Sequence, residues 1–225
     1  MGRVSFNDAV RNISQPVLLP IVKFLANLEI HPNFITILCF LGFLIGSYFI
    51  AIGNFLIAGI LILFFGPLDA VDGALARYSK KVTSFGAFLD STLDRYGEIA
   101  IFLGLVYYFL EHGEFVSVIL CFLAITGSLM VSYTRARAEG AGFECKVGLL
   151  TRFERLLLLT LALFFNLIFP FLVVIAILTH FTAFQRVVHV YREYKKKNTK
   201  VKGVEYVSGV SLQDSRSKGR VDSNR

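Results

Sequence analysis

Along this chain the apolar residues come in long unbroken runs. They show neither the alternation of a half-buried strand nor the one-sided stripe of a soluble helix. Asn33–Gly53, Phe55–Leu68, Ile99–Leu110, Phe115–Val131, Leu156–Phe165 and Ile168–Phe184 are nearly free of charge. A helix that crosses a bilayer needs about 20 mostly apolar residues, and short runs are extended by weakly polar flanks, so the pattern predicts about six spans. Phe55–Leu68 is too short by itself, so its helix must continue through the aspartates that follow. Ahead of the first run, Met1–Ile30 sets Arg3, Asp8, Arg11 and Lys23 among apolar residues at roughly helical spacing. That is the pattern of an amphipathic helix lying on the membrane surface, with no cleavable signal. After Tyr194 the chain turns polar and lysine-rich and reads as a largely disordered tail. The expected fold is an all-α integral membrane protein. A juxtamembrane helix occupies residues 1–30, a six-helix domain residues 31–194, and a basic tail residues 195–225.

Composition agrees: 55% of the 225 residues are hydrophobic and 17% charged, against about a quarter charged in soluble domains. The net charge of +7 is unevenly placed. The connections at Gly53–Asn54, Glu111–Glu114 and Asn166 carry no Lys or Arg, whereas the N-terminal segment, Arg77–Lys81, Arg135–Arg155 and the tail with the residues leading into it carry them, with Arg95 just inside the third span. By the positive-inside rule, both termini and both basic loops face the cytoplasm of a cell-membrane protein. The basic excess then reflects topology and anionic lipid and calls for no nucleic acid. Of the three cysteines, Cys39 and Cys121 fall in apolar runs, and no C-x-x-C pair occurs.

Four carboxylates interrupt this apolar background. Asp69 and Asp72 are spaced i,i+3 and Asp90 and Asp94 i,i+4, so each pair shares one face of its helix. At 1.5 Å per residue, Asp69 and Asp72 lie roughly 22 and 27 Å inward from Asn54. On the same count Asp94 and Asp90 lie roughly 25 and 31 Å inward from Glu111. In a hydrocarbon core of about 30 Å all four meet in one layer near the cytoplasmic face. Four like charges there require cations, and an all-oxygen ligand set suits two hard divalent ions, Mg²⁺ or Mn²⁺. Gly73, Ala74, Ala76, Gly86 and Ala87 are expected to let the two helices approach and leave room for a ligand. Arg77 at the mouth suits a phosphate, and Pro67 is expected to kink or loosen its helix. A cation-coupled transporter also buries aspartates and stays open on these grounds. A merely structural pairing with Arg77 and Arg95 leaves two carboxylates over.

Written as spacing, the residues form D-x2-D-G-x2-A-R-x8-G-x3-D-x3-D from Asp69 to Asp94. This motif resembles the signature of the CDP-alcohol phosphatidyltransferases, and the chain is similar to them in length and span number. The resemblance implies that Asp69, Asp72, Asp90 and Asp94 bind two metal ions. It implies that Asp94 also deprotonates the attacking hydroxyl, and that Gly73, Ala76, Arg77 and Gly86 form the pocket for the CDP group. The partners it implies are CDP-diacylglycerol or CDP-archaeol, the bilayer and a second copy of the chain, for which Gly104 and Gly127 suggest close helix packing.

Beyond the motif, Arg135, Arg137, Lys146, Arg152 and Arg155 cluster around two helix ends, facing Glu139, Glu144 and Glu154. Positive-inside topology and the i,i+4 pair Arg135–Glu139 explain some of them. Arginine also suits a phosphorylated polyol acceptor such as inositol phosphate or glycerol phosphate. Ser132–Gly140 with Gly148–Leu156 looks like the branch that makes phosphatidylinositol phosphate or archaetidylinositol phosphate. That resemblance nominates Arg135, Lys146, Arg152 and Arg155 for the acceptor phosphate. Thr151 departs from the branch, where an acidic residue is expected before Arg152, so phosphatidylglycerophosphate synthesis from glycerol 3-phosphate stays as the alternative. Pro32-Asn33-Phe34-Ile35-Thr36 reads as a helix start with Asn33 as its cap.

Overall fold

Long apolar runs in which every backbone group must be satisfied internally leave the helix as the available element. Every element described in the structure, a computed structural model, is a helix. It describes the backbone of residues 19–218 and the side chains of residues 19–197, so most of the expected N-terminal helix lies outside the described residues. Helix α1 covers residues 19–27, followed by α2 (Pro32–Ala51), α3 (Phe55–Tyr78), α4 (Ser84–Glu111), α5 (Phe115–Gly140), α6 (Arg152–Phe164) and α7 (Ile168–Lys218).

Among the described residues, four stretches are long and apolar enough to cross a membrane: α2, α3, α5 and residues Ile168–Lys197 of α7. The other two fall short for different reasons. Helix α4 has 28 residues but carries Asp90, Asp94, Arg95 and Glu98 along its length. Helix α6 has 13 residues, about 20 Å, because it starts at Arg152, which already touches Asp69 at 2.6 Å. Helix α3 runs unbroken past Pro67, so the short apolar run does continue through Asp69 and Asp72.

The three connections without Lys or Arg are built alike. Each reverses the chain through a left-handed residue just after the helix: Gly53 (φ 78°), Gly113 (φ 71°) and Asn166 (φ 54°). Glycine and asparagine tolerate that conformation, which makes these three-residue turns possible. Two sequence expectations are corrected. The cap of α2 is His31, whose Nδ1 accepts from the Asn33 N–H at 3.2 Å with Pro32 at the first helical position. This frees the Asn33 side chain for a cavity described below. At the other end, α7 continues as a helix to Lys218, through most of the region expected to be disordered. Once a helix is nucleated, each added residue needs only one more hydrogen bond, so polar sequence extends it readily. Residues 219–225 lie outside the described residues.

Helix α2 packs against both α3 and α4, α4 against α5, α5 against α7, and α6 against α3 and α7. Among the described residues no Cα of α3 comes within 8 Å of one in α4. The small residues expected to bring these helices together instead line a gap between them. Close approach occurs elsewhere. A side chain at Gly104 would strike Ser47 of α2, and one at Gly127 would strike Thr179 of α7, so these glycines serve packing within the chain. The apolar core lies in the half away from the aspartates, around Phe43, Ile62, Leu105, Cys121, Leu163 and Leu172. A second cluster, Val22 with Ile35, Cys39, Val71 and Leu75, docks α1 beside the aspartate level. Leu44, Ile45, Phe64, Phe122, Ile177 and Phe184 point outward, as lipid-facing residues do. The multi-pass membrane character therefore stands on both sequence and fold.

Candidate active site

The end of α3 and the beginning of α4 carry the aspartates to one place. Asp69, Asp72 and Asp90 each present a carboxylate oxygen, and these atoms lie within 4.8 Å of one another. Thr36 of α2 fixes the orientation of Asp72 by donating its hydroxyl to Oδ2 at 2.5 Å. Asp90 Oδ1 is buried with no hydrogen-bond partner among the described residues. An orphaned carboxylate oxygen next to two further carboxylates is costly by itself and well satisfied by a hard divalent cation, so the residues present fit such an ion. Asp94 lies outside this triad and is linked to it through Arg152. Its Oδ1 accepts from Arg152 Nη2 at 2.6 Å, and Arg152 Nη1 holds Asp69 Oδ2 at 2.6 Å. Three of the four expected ligands are thus brought together, and the fourth is held by an arginine from α6.

A cavity opens on each side of the carboxylates. The smaller, about 290 Å³, fills the gap between α3 and α4. Gly73, Ala76, Arg77 and Gly86 line it, together with Asp72, Asp90, Asn33 and Thr36. It needs small walls. A Cβ on Gly86 would sit 3.0 Å from Thr83 Oγ1 and 3.2 Å from Asn33 Oδ1, and one on Gly73 would lie 3.4 Å from Arg77 Nη1. Thr83 caps α4 by accepting from the Gly86 N–H at 3.0 Å, which fixes this wall.

The larger cavity, about 1020 Å³, lies between α4, α5, α6 and α7, and Asp94 is its acidic entrance to the carboxylate layer. All four basic residues expected at an acceptor phosphate line it: Arg135, Lys146, Arg152 and Arg155. Their commitments differ. Arg135 pairs with Glu139 at 2.9 Å and Lys146 with Glu144 at 3.2 Å, both at exposed positions. Arg152 is engaged by Asp69 and Asp94, and its Nε is buried without a partner. Arg155 is almost fully buried, pairs with Glu98 at 3.2 Å, and has a partnerless Nη2. Thr151, the departure from the expected pattern, closes a capping box with Glu154 that fixes the first turn of α6, where Arg152 and Arg155 sit.

One residue of this cavity, Arg186, and one behind its wall, Glu98, escaped the sequence reading. Arg186 of α7 is 8% exposed. It donates from Nε to Val147 O at 2.9 Å and from Nη1 to Val131 O, and pairs with no carboxylate among the described residues. The available signal was a lone arginine amid Phe184, Val187 and Val188, which the topology rule absorbed as one more inward charge. Glu98 lies one turn after Asp94, and Arg155, Arg95 and Ser128 all donate to it. Arg77 forms no ion pair with the aspartates among the described residues; Arg95 reaches Asp94 at 3.5 Å.

The chain as a whole has relatives among known proteins. The model of the CDP-alcohol phosphatidyltransferase family matches residues 29–188. The chain belongs to the CDP-alcohol phosphatidyltransferase family. This membership makes it a transferase of phospholipid synthesis and sets aside the transporter alternative. It is 42% identical over 176 residues to the archaetidylinositol phosphate synthase of Pyrococcus horikoshii, covering 78% of this chain and 90% of that one. To the phosphatidylinositol phosphate synthase of Streptomyces avermitilis it is 34% identical over 210 residues, covering 86% and 85%. Its fold matches the crystal structure of Mycobacterium tuberculosis phosphatidylinositol phosphate synthase with CDP-DAG bound, at a TM-score of 0.72 and 29% identity, covering 78% of this chain and 94% of that one. The same mycobacterial enzyme in complex with manganese and citrate matches with a TM-score of 0.71 at 30% identity, covering 77% and 88%.

Proposed function

We propose that this phosphatidyltransferase joins the phospho-lipid half of a CDP-lipid to inositol 1-phosphate, with release of CMP. The observation that carries the reading is the pair of cavities meeting at the carboxylates. The smaller, bounded by Asp72 and Asp90, takes the CDP group; the larger, entered past Asp94, takes the acceptor. Gly73, Ala76 and Gly86 let the nucleotide lie close to backbone, and Arg77 pairs with its phosphates. Asp69, Asp72 and Asp90 would hold the divalent metal, Mg²⁺ or Mn²⁺, and Asp94 would complete a two-ion site. When bound, such ions stabilise charge on the attacking and leaving oxygens of an in-line displacement. Asp94 takes the proton of the attacking hydroxyl from the acceptor side. Arg152 holds Asp94 in place through Nη2, and the capping box on α6 holds Arg152.

The acceptor cavity gathers Arg152, Arg155 and Arg186 in its buried part, with Arg135 and Lys146 at its exposed rim. A buried guanidinium that only backbone carbonyls meet, as in Arg186, retains its full charge for an anion, which favours a phosphorylated acceptor over free inositol or serine. The similarity to synthases named for inositol phosphate products favours inositol 1-phosphate over glycerol 3-phosphate. In the bilayer we place all six helices α2 to α7 across the membrane; α4 and α6 also turn apolar side chains outward, among them Leu103, Tyr107, Leu157 and Leu161. The aspartate layer then lies near the cytoplasmic face and both termini in the cytoplasm. Lys80, Lys81 and Lys146 in the two longer connections, against none in the three tight turns, support this orientation.

The test is CMP release from purified protein in detergent, given CDP-diacylglycerol or CDP-archaeol and Mg²⁺. Inositol 1-phosphate, glycerol 3-phosphate, inositol and serine are offered separately. Release with inositol 1-phosphate, abolished by EDTA, is the expected result; release with another acceptor alone would reassign the alcohol.

A further inference from the structure

Glu98 sits where the apolar core meets the acceptor cavity, and it is 7% exposed. Its Oε1 accepts from Arg155 Nε at 3.2 Å and from Ser128 Oγ at 2.7 Å, and its Oε2 accepts from Arg95 Nη1 at 3.3 Å. Each arginine then reaches further. Arg155 donates from Nη1 to Leu150 O at 3.4 Å, so contacts on two of its nitrogens fix the plane of its guanidinium and leave Nη2 without a partner. Arg95 Nη1 also donates to Ser132 Oγ, and its Nη2 lies 3.5 Å from Asp94 Oδ2. One buried carboxylate therefore ties together an arginine that lines the acceptor cavity and an arginine that touches the proposed base. Stability does not account for it, because a buried ion network is often no more stabilising than apolar residues of the same volume. Positioning does account for it. Long arginine side chains lose rotamer freedom when they bind a ligand, and prior fixation removes that cost.

We propose that Glu98 is a positioning residue for the acceptor half of the reaction. It fixes the guanidinium of Arg155, a residue lining the acceptor cavity, in place for the acceptor phosphate and holds Arg95 against Asp94. This rests on the reading above that the acceptor carries a phosphate.

The experiment is steady-state CMP release by the full chain in detergent, with inositol 1-phosphate and CDP-diacylglycerol varied in turn. It uses wild type, Glu98→Gln, Glu98→Asp, and Glu98→Gln in an Arg155→Ala background. Glu98→Gln is expected to raise the KM for inositol 1-phosphate about tenfold and to lower kcat, with the KM for CDP-diacylglycerol changed less than about twofold. Glu98→Asp, which keeps the charge, restores part of the acceptor KM. In the Arg155→Ala background Glu98→Gln adds nothing further to the acceptor KM, because the two act as one unit. Equal changes in both KM values, or additive effects in the double variant, would overturn the proposal. If Glu98→Gln does not fold, Ser128→Ala, which removes only the hydroxyl that orients Oε1, must show the same split on a smaller scale; no split overturns the proposal. Wild type that turns over inositol but no phosphorylated acceptor defeats the functional reading instead.

Discussion

The two cavities flanking the carboxylates are built on opposite plans. The smaller one comes from one continuous stretch, Asp72 to Asp90, plus three residues of α2, and its walls are small and uncharged apart from Arg77, Lys81 and the two aspartates. The larger one takes its lining from four helices and the 141–151 connection, and it is dominated by guanidinium and ammonium groups. A nucleotide diphosphate brings its own charge and a flat ring, and needs room and backbone proximity. A small phosphorylated polyol needs a fixed anion site that turns away neutral competitors. The first need is met by deleting side chains, the second by holding long ones in place. Substitutions should therefore separate: added bulk on one side affects the CDP-lipid, and lost charge on the other affects the acceptor.

The carboxylates shared by both sides set the largest effects. Asp90→Asn replaces the orphaned oxygen's charge with an amide. Divalent-ion affinity, followed by calorimetry on the purified protein, should fall by more than the roughly 10–100-fold that outer-shell changes cost, and turnover should vanish with it. Asp94→Asn should lower kcat by about 10²–10⁴-fold while leaving CDP-lipid binding largely intact, because the residue faces the acceptor cavity. Near-normal turnover would remove Asp94 from the role of base.

The next effects fall on one side each. Gly86→Val should raise the KM for the CDP-lipid by about tenfold or more and leave the acceptor KM little changed, because even a Cβ there stands 3.2 Å from Asn33 Oδ1. Arg186→Ala should do the reverse. Losing a charge-assisted contact worth about 1.5–3 kcal/mol raises the acceptor KM by roughly ten- to a hundredfold. Arg186→Lys controls for the loss of its bonds to Val131 and Val147. A matched rise in both KM values in either variant would collapse the distinction between the cavities.

That distinction also explains what could be read from the sequence. Asp69 to Asp94 is legible because helical spacing turns i,i+3 and i,i+4 carboxylates into a shared face, and because two antiparallel helices of known length fix their depth. The smaller cavity's wall lies in the same stretch. The partners of the larger cavity come from distant parts of the chain. Arg152 meets Asp69 across 83 residues, and Arg155 meets Glu98 across 57. No periodicity encodes which helix faces which, so Glu98 and Arg186 stay invisible while Arg135, Arg152 and Arg155 show only as an excess of charge. The cap of α2 was misassigned for a related reason. Asn33 is a good capping residue type, but Pro32 at the first helical position leaves His31 as the cap.

The smallest effect tests how far the acceptor site extends. Arg135 lines the cavity, yet its side chain is 53% exposed and paired with Glu139, itself 51% exposed, at i,i+4. Exposed pairs of this kind contribute only about 0.3–0.5 kcal/mol, and the partner already neutralises the guanidinium in solvent. Arg135→Ala should therefore raise the acceptor KM by no more than about threefold, and the change should shrink as salt rises and screens the rim. Glu139→Gln should shift KM the other way by a similarly small factor, since it frees Arg135 from its partner. An effect of Arg135→Ala as large as that of Arg186→Ala would mean that Arg135 leaves Glu139 to bind the phosphate directly. The acceptor site would then close from the rim inward as well as being fixed from the buried side.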